Sequence, residues 1–143
     1  MQIEVLGSSS LGNAYLVSDG ETSLLLDCGL PLREMQIKSD FRIANADACL
    51  ISHGHLDHSR AIHDVLKSAI DVYALPETLT ALNVLEHHRT HIAEPLKAFT
   101  VNTFVPYVTG LKLGRVIYGV ITDIKDEDGR KVFEFETWFA SKG

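Results

Sequence analysis

Three short stretches rich in apolar residues open the chain and predict strands, and in the first of them apolar and polar residues alternate. The stretches QIEVL (2–6), AYLVS (14–18) and SLLLD (23–27) are separated by the turn-rich GSSSLGN and DGET. Because these connections are short and rich in glycine and serine, the pattern predicts a meander of three antiparallel strands. A fourth apolar run, ADACLIS at 46–52, has the length of a buried strand.

The middle of the chain changes to a helical period. In SRAIHDVLKSAI, residues 59–70, the apolar positions recur at the spacing of an amphipathic helix: Ile62, Val65, Leu66 and Ala69. Two stretches begin with proline and carry helix formers, PLREMQIKS at 31–39 and PETLTALNVLEHH at 76–88. Both predict helices, and DVYAL at 71–75 predicts a strand before the last of them.

The remainder of the chain returns to strands. KAFTVNTFVPYV at 97–108 alternates, and GRVIYGVITDI at 114–124 and KVFEFETWFA at 131–140 flank the polar KDEDG. Two apolar runs around a short polar turn predict a hairpin. No internal repeat, low-complexity tract or linker interrupts the sequence, so the pattern predicts one α/β domain over residues 1–143.

Composition supports a soluble globular domain. Of the 143 residues, 45% are apolar and 22% are charged, which is the balance of a folded domain with its own core. No segment approaches the roughly 20 consecutive apolar residues that span a bilayer. The start, MQIEVLGSSS, has no basic region followed by an apolar stretch. We therefore expect no signal peptide, no membrane partner and a cytoplasmic location.

Charge and cysteine content narrow the picture further. The formal net charge of −6 argues against broad nonspecific attraction to nucleic acid, although an acidic enzyme can still hold polyanions through metal ions. Cys28 and Cys49 fit no C-x-x-C pattern. In a cytoplasmic protein, two such cysteines predict free thiols near the core rather than a disulfide.

The strongest chemical signal is HGHLDH at residues 53–58, which follows the fourth strand and precedes a helix. Such a junction is a loop on a rigid base, where side chains can converge. Histidine nitrogen and carboxylate oxygen are good ligands for zinc and other divalent ions. His53 and His55, two positions apart, can point the same way, while Asp57 and His58 lie where the chain bends. We therefore predict a metal site formed by these four residues.

Other readings of the histidines are simpler. A solvated loop that happens to be rich in histidine would explain a lone residue, but not four possible ligands in this order. For the remaining histidines the simpler reading is preferred. His63 is expected on the surface of the next helix, and His87, His88 and His91 on an exposed polar face, although a pair at i and i+4 could share a metal.

At this point the sequence resembles the metallo-β-lactamase superfamily, whose signature is H-x-H-x-D-H. LGSSSLGNAYLV resembles the early turn between that family's first strands, and LLLDCGL resembles its D-x-G segment, with Asp27 and Gly29 supporting the metal loop. The opening is most similar to a bacterial and phage branch of nuclease-like hydrolases. The resemblance is firm from residue 1 to about residue 75 and weak beyond about residue 110.

The resemblance implies an αββα sandwich and a metal-dependent hydrolase. His53 and His55 would bind a first ion with a later histidine. Asp57 and His58 would bind a second ion with a bridging aspartate and a final histidine. Asp57 would also orient the nucleophile and is the expected catalytic residue. The expected cofactor is zinc or another divalent ion, one or two per chain, and the expected substrate is a phosphodiester in nucleic acid or a nucleotide.

The later ligands of the family depart from its pattern. Where that branch has His-Asp after a strand, the sequence has Val108-Thr109. Glu136, or Thr137 in a shifted register, occupies the place of the bridging aspartate, and no final histidine follows. The resemblance therefore implies a fold that is shortened or incomplete in its second half.

Three readings follow from an intact first half and an altered second half. The chain is a hydrolase that takes missing ligands from a second copy, in a homo-oligomer that covers the shortened part. Alternatively, it is a degenerate, non-catalytic relative that binds a metal or a partner. A third reading is a truncated product whose fold no longer serves a function. The first two differ in metal stoichiometry and in whether His53→Ala abolishes turnover or only destabilises the protein.

Overall fold

The computed structural model describes residues 2–94, 97, 99–102, 105–113, 116–125 and 131–134. Nine strands are present among them: β1 Gln2–Ser9, β2 Gly12–Ser18, β3 Ser23–Leu26, β4 Ala48–Leu50, β5 Asp71–Ala74, β6 Thr90–Ile92, β7 Val105–Leu113, β8 Val116–Lys125 and β9 Lys131–Glu134. The helices are α1 Leu32–Lys38, α2 Leu56–Ser59, α3 Ile62–Lys67 and α4 Pro76–Ala81, with a 3-10 helix at Arg42–Asn45. Each of the helices found in this part of the chain is too short or too polar to cross a lipid bilayer.

Two sheets form the fold. The first has six strands in the order β1-β2-β3-β4-β5-β6. Its first three strands are antiparallel neighbours, which confirms the predicted meander, and β3 to β6 are parallel neighbours. The second sheet is antiparallel, in the order β7-β8-β9. Asp123 of β8 lies opposite Glu134 of β9, which confirms the predicted hairpin. The α/β class predicted from the sequence is therefore confirmed.

The inner strands β2, β3 and β4 of the six-stranded sheet are buried on both faces. In β3, Leu24, Leu25 and Leu26 are all buried, although alternate residues point to opposite faces. The face that carries Leu25 packs with the main core, to which the helices contribute Met35, Ile62, Val65, Leu66 and Leu79. Parallel strands with cover on both faces have this continuous apolar sequence. Cys28 and Cys49 are free and buried, as predicted.

Two predicted helices are shorter than expected. The helix predicted over 59–70 is preceded by a separate turn, α2, and α3 begins only at Ile62, because the N–H of Ala61 donates to Cys28 O instead of continuing one helix. The helix predicted over 76–88 ends at Ala81, and Asn83 has a left-handed backbone with φ of 59°. The stretch that carries His91 is a strand, β6, rather than part of a helix or loop.

The topology places chemistry at one edge of the sheet. β3 and β4 are parallel, with Leu26 opposite Leu50. The residues that follow them, Asp27 and the loop from Ile51 to His55, therefore leave the sheet at the same edge. In parallel α/β sheets the carboxyl ends of the strands are where binding sites form. The fold thus brings the D-x-G segment beside HGHLDH.

Candidate metal centre

Asp27 is the buried base of the candidate site. Its side chain is 1% exposed and its backbone is left-handed, with φ of 60°, so the chain turns sharply at the end of β3. The N–H of Asp27 donates to Leu50 O at 2.8 Å, and the carboxylate accepts the N–H of Ser52 at 2.7 Å. These two bonds tie the ends of β3 and β4 together. They fix the start of the histidine loop, residues 51–58, relative to the D-x-G segment.

A chain of hydrogen bonds links two of the histidines through this carboxylate. Asp27 Oδ2 lies 2.7 Å from His58 Nδ1 and 2.8 Å from Ser52 Oγ, and Ser52 Oγ lies 3.0 Å from His53 Nδ1. An ionised carboxylate only accepts, so the Ser52 hydroxyl donates to Asp27 and accepts the Nδ1–H of His53. His58 likewise donates its Nδ1–H. In this arrangement both rings carry their proton on Nδ1, and Nε2 is the nitrogen with the lone pair.

Opposing effects act on the ionisation of this group. Burial raises the pKa of Asp27, while the hydrogen bond and electrostatic attraction of His58 and the hydrogen bonds of Ser52 lower it. Burial, with smaller contributions from His58 and His55, lowers the pKa of His53 to about 3. His53 is therefore neutral at physiological pH. Neutral imidazole is the form that binds metal ions.

The four predicted ligands lie together, but in different environments. The ring centroids of His53 and His58 are 4.1 Å apart, and those of His53 and His55 are 4.7 Å apart at an interplanar angle of 82°. His58 Nε2 lies 3.7 Å from Asp57 Oδ2. His53 and His58 are buried, whereas His55 is exposed and Asp57 is half-buried. The side chains thus form a cluster with a buried side and a solvent-facing side.

Gly29 allows the loop to pack this closely. A Cβ atom at Gly29 would lie 1.7 Å from the carbonyl oxygen of Asp57. No other residue has the space, since real Cβ contacts do not fall below about 3 Å. The N–H of Cys28 donates to His58 O at 2.9 Å beside it. The D-x-G segment therefore backs α2 through direct main-chain contact, as the resemblance implied.

The donor chemistry of this cluster fits a divalent metal ion. Imidazole and carboxylate groups suit zinc, and ligating histidines usually donate their second N–H to a carboxylate or similar acceptor, as His58 does to Asp27. The residues described by the structure contain no group of three or more His, Cys, Asp or Glu side chains arranged to hold an ion. The described part of the chain thus supplies a prepared but partial set of ligands.

The remaining histidines lie apart from these ligands. His63 is exposed on α3 and lines, with His87, a cleft of about 430 Å³ whose lining includes none of the four predicted ligands. The rings of His87 and His88 stack on each other at 4.6 Å. His91 pairs with Asp71 at 3.0 Å and stacks on Tyr73. The expected exposure of His63 is confirmed, whereas His91 lies within hydrogen-bond distance of Asp71 on the sheet.

The two positions at which the sequence departs from the family's His-Asp pair lie in the second sheet. Val108 and Thr109 lie within β7, opposite Ile121 and Val120 of β8, next to a register shift after Tyr107. The alternative ligand positions, Glu136 and Thr137, lie outside the described residues. Their part in the site stays a prediction.

Two residues of the site were missed by the sequence reasoning. Ser52 bridges His53 and Asp27, and the buried amide of Asn13 lies 3.4 Å from His58 Nε2. A polar residue next to a buried strand was the available signal for Ser52. For Asn13 the signal was an amide inside a strand of apolar neighbours, Ala14 to Val17. Neither signal identifies a distant partner. Asp57, which Asn13 contacts, lies 44 residues away in the chain.

Comparisons with known proteins identify the family and the fold. The family model described as the metallo-beta-lactamase superfamily matches residues 9–137. No curated protein matches the sequence. Among solved structures, the metallo-beta-lactamase fold protein YhfI from Bacillus subtilis has 20% identity and a TM-score of 0.66, with 84% of this chain and 57% of that chain covered.

Two further structures have the same fold. A diphosphatase from the PhnP family has 19% identity and a TM-score of 0.67, with 85% of this chain and 62% of that chain covered. The short form of human tRNase Z has 17% identity and a TM-score of 0.68, with 92% of this chain and 67% of that chain covered. The chain therefore spans 57% and 62% of YhfI and the diphosphatase. On the family match over residues 9–137, the chain belongs to the metallo-beta-lactamase superfamily.

Proposed function

We propose that the protein is a metal-dependent hydrolase that acts on phosphodiester bonds in nucleic acid or a nucleotide. The observation that carries this proposal is the hydrogen-bonded chain from His53 through Ser52 and Asp27 to His58. It holds two imidazoles in the tautomer that leaves Nε2 for a metal. That two structures of similar fold are a diphosphatase and a tRNase Z favours phosphate esters as the substrate class.

The proposed roles follow from exposure and donor type. His53, His55, Asp57 and His58 would hold the ion or ions, with zinc preferred for this mixture of imidazole and carboxylate. A divalent ion bound here would supply an activated water and would stabilise negative charge on the substrate. Asp57 lies beside His58 in the cluster, and its side chain is also 33% exposed to solvent. It would accept a hydrogen bond from the attacking water and orient it.

Substrate recognition must be local. The formal net charge of −6 opposes long-range attraction of a polyanion. His55 and Leu56 are exposed at the start of α2, while His53 and His58 are buried. A phosphate ester would therefore approach from the side of His55 and Asp57.

A hydrolysis assay tests the proposal. The protein is loaded with Zn²⁺ or Mn²⁺ and assayed with bis(p-nitrophenyl) phosphate and with short single-stranded and duplex oligonucleotides. We expect metal-dependent cleavage that falls by about 10²–10⁴-fold in Asp57→Ala, the usual effect of removing a group that handles a proton. The matched control is Asp64→Ala, an exposed acidic residue on α3, which should keep full activity. Equal activity in both variants, or no cleavage by the metal-loaded protein, would contradict the proposal.

A non-catalytic relative is the second candidate function. The observation that favours it is the lack of a three-ligand group among the described residues. A site with fewer protein ligands is expected to bind metal more weakly. In that case His53→Ala would lower the thermal stability of the metal-loaded protein without any turnover to lose. Metal-dependent turnover that disappears in Asp57→Ala would exclude this candidate.

We also propose that a second copy of the chain completes the centre and that the protein acts in the cytoplasm. The support for the second copy is the partial ligand set among the described residues. Light scattering on a size-exclusion column, with and without Zn²⁺, tests the first point. A metal-dependent dimer is expected. A monomer at full metal occupancy would contradict it.

A further inference from the structure

The side chain of Asn13 reaches the candidate centre from a different part of the chain. Asn13 is 1% exposed and lies at the start of β2. Its Nδ2 lies 2.8 Å from Ser9 O, 3.3 Å from Asp57 O, and 3.4 Å from both Asp57 Oδ2 and His58 Nε2. With His58 protonated on Nδ1, all four of these atoms are acceptors. The amide nitrogen is therefore the part of Asn13 that faces the site.

The geometry divides the two amide hydrogens between two tasks. The short contact to Ser9 O takes one hydrogen and anchors the side chain to the turn between β1 and β2. The second hydrogen faces the cluster formed by the carbonyl and carboxylate of Asp57 and the Nε2 of His58. Asn13 O also accepts the N–H of Gly29 at 2.9 Å. The residue thus connects the opening turn, the D-x-G segment and the histidine loop.

Packing alone does not account for an amide at this position. Asn13 Oδ1 is buried and has no hydrogen-bond partner among the described residues. A buried acceptor without a partner costs stability, which an apolar side chain of the same size would avoid. Sequences break such local rules chiefly where a site requires it. The amide is therefore best explained by its contacts with Asp57 and His58.

We propose that Asn13 is a positioning residue that orients Asp57 beside His58 for metal binding. This inference rests on the proposed function, and it assigns Asn13 no contact with the reacting atoms. The amide N–H restrains the carboxylate of Asp57 on one side, and the Asp27 carboxylate restrains His58 on the other. Without Asn13, Asp57 on its short helix is free to rotate towards solvent. The ion then meets ligands that are less well oriented.

Metal titration of three variants tests this role. Asn13→Leu keeps the volume and removes the amide, and Asn13→Ala removes both. Val65→Ala is the control, because Val65 is buried in α3, outside residues 53–59, and its loss lowers stability. By calorimetric titration with Zn²⁺, we expect the dissociation constant to rise by about 10–100-fold in both Asn13 variants, as for other residues that orient metal ligands. Val65→Ala should bind as the parent does.

A spectrum separates positioning from a merely structural role. The visible absorption of the Co²⁺-loaded protein reports ligand geometry, and we expect it to change in Asn13→Leu but not in Val65→Ala. An unchanged Zn²⁺ dissociation constant and Co²⁺ spectrum in Asn13→Leu would overturn the proposal, whatever happens to its melting temperature. The proposal and the function it rests on fail in different ways in this experiment.

If the parent binds neither ion, the proposed function fails, and hydrogen–deuterium exchange of the metal-free proteins still decides the role of Asn13. Faster exchange over residues 53–59 in Asn13→Leu, at unchanged exchange there in Val65→Ala, supports it. Equal exchange over that segment in both variants overturns it.

Discussion

The histidines of the loop after β4 differ from those elsewhere in the chain. His58 is 3% exposed and its partner Asp27 is 1% exposed, with 2.7 Å between them. His91 also pairs with an aspartate, Asp71, at 3.0 Å, but the two side chains are 40% and 35% exposed. The same pair of residue types therefore occurs once in the interior and once at the surface. The interior pair lies at the carboxyl edge of the sheet, beside the other predicted ligands.

This difference in burial distinguishes a His–Asp pair that can form a site from a pair of the same residue types at the surface. At the surface, water competes for each partner, so the pair contributes little and constrains little. In the interior, Asp27 makes four hydrogen bonds. Its carboxylate accepts from Ser52 N, Ser52 Oγ and His58 Nδ1, and its own N–H donates to Leu50 O at the end of β4. In a buried polar network of this kind, any donor or acceptor left without a partner lowers the stability of the fold.

The largest expected effect comes from removing the backing of the loop histidines. In Gly29→Ala the new methyl group would overlap the carbonyl of Asp57 at 1.7 Å. Because main chain on both sides would have to move, we expect a loss of more than about 4 kcal/mol of unfolding free energy, or failure to fold. Urea denaturation measures it. Gly20→Ala is the matched control, since nothing lies within 4 Å of a Cβ there and only its φ of 92° is strained. A similar cost in both variants would show that Gly29 does not back the loop.

The next effect compares the two His–Asp pairs directly. Asp27→Asn replaces an acceptor by a donor, so buried donors on Ser52 and His58 lose their partner, at about 1–3 kcal/mol for each. Asp71→Asn weakens partly exposed pairs with His91 and Arg89 and should cost less than about 1 kcal/mol. Chemical denaturation of the two variants checks the difference. Equal losses would remove the distinction between the interior and the surface pair.

A smaller effect is expected from the hydroxyl that joins His53 to Asp27. Ser52→Ala removes bonds of 2.8 and 3.0 Å and leaves His53 Nδ1 without its acceptor, for a loss of about 1–2 kcal/mol. In Ser68→Ala an exposed hydroxyl loses a bond of 2.8 Å to Asp64 O. That change should stay within about 0.5 kcal/mol. Thermal denaturation of the metal-free proteins measures both, and the reverse order would contradict the hydrogen-bonded chain.

Local pattern predicted much of the fold because it determines much of it. The meander of β1 to β3 and the hairpin of β8 and β9 depend on neighbours in sequence, and both were found where alternation and turn residues indicated. The helix predicted to reach residue 88 ends at Ala81, because Val84 N–H turns back to Leu79 O and Asn83 leaves the helical region. Helical period alone does not mark such an end.

The sequence predicted the ligand residues of the site, but it did not predict the hydrogen bonds that connect them to distant parts of the chain. HGHLDH could be identified because its ligands are adjacent in sequence. Asn13 and Asp27 meet His58 only after three strands have aligned, at separations of 45 and 31 residues. No periodicity relates residues so far apart. The resemblance to the family supplied Asp27 and Gly29, and the structure supplied Ser52 and Asn13.

Metal content per chain tests the central claim most directly. Elemental analysis is made on freshly purified protein, on the loop variants His53→Ala and His58→Ala, and on the matched variants His63→Ala and His91→Ala. We expect one or two divalent ions per chain in the parent and in the matched variants, and a loss of metal in the loop variants. A folded parent that carries no metal and takes up none from Zn²⁺, or loop variants that keep it, would contradict a metal centre at HGHLDH.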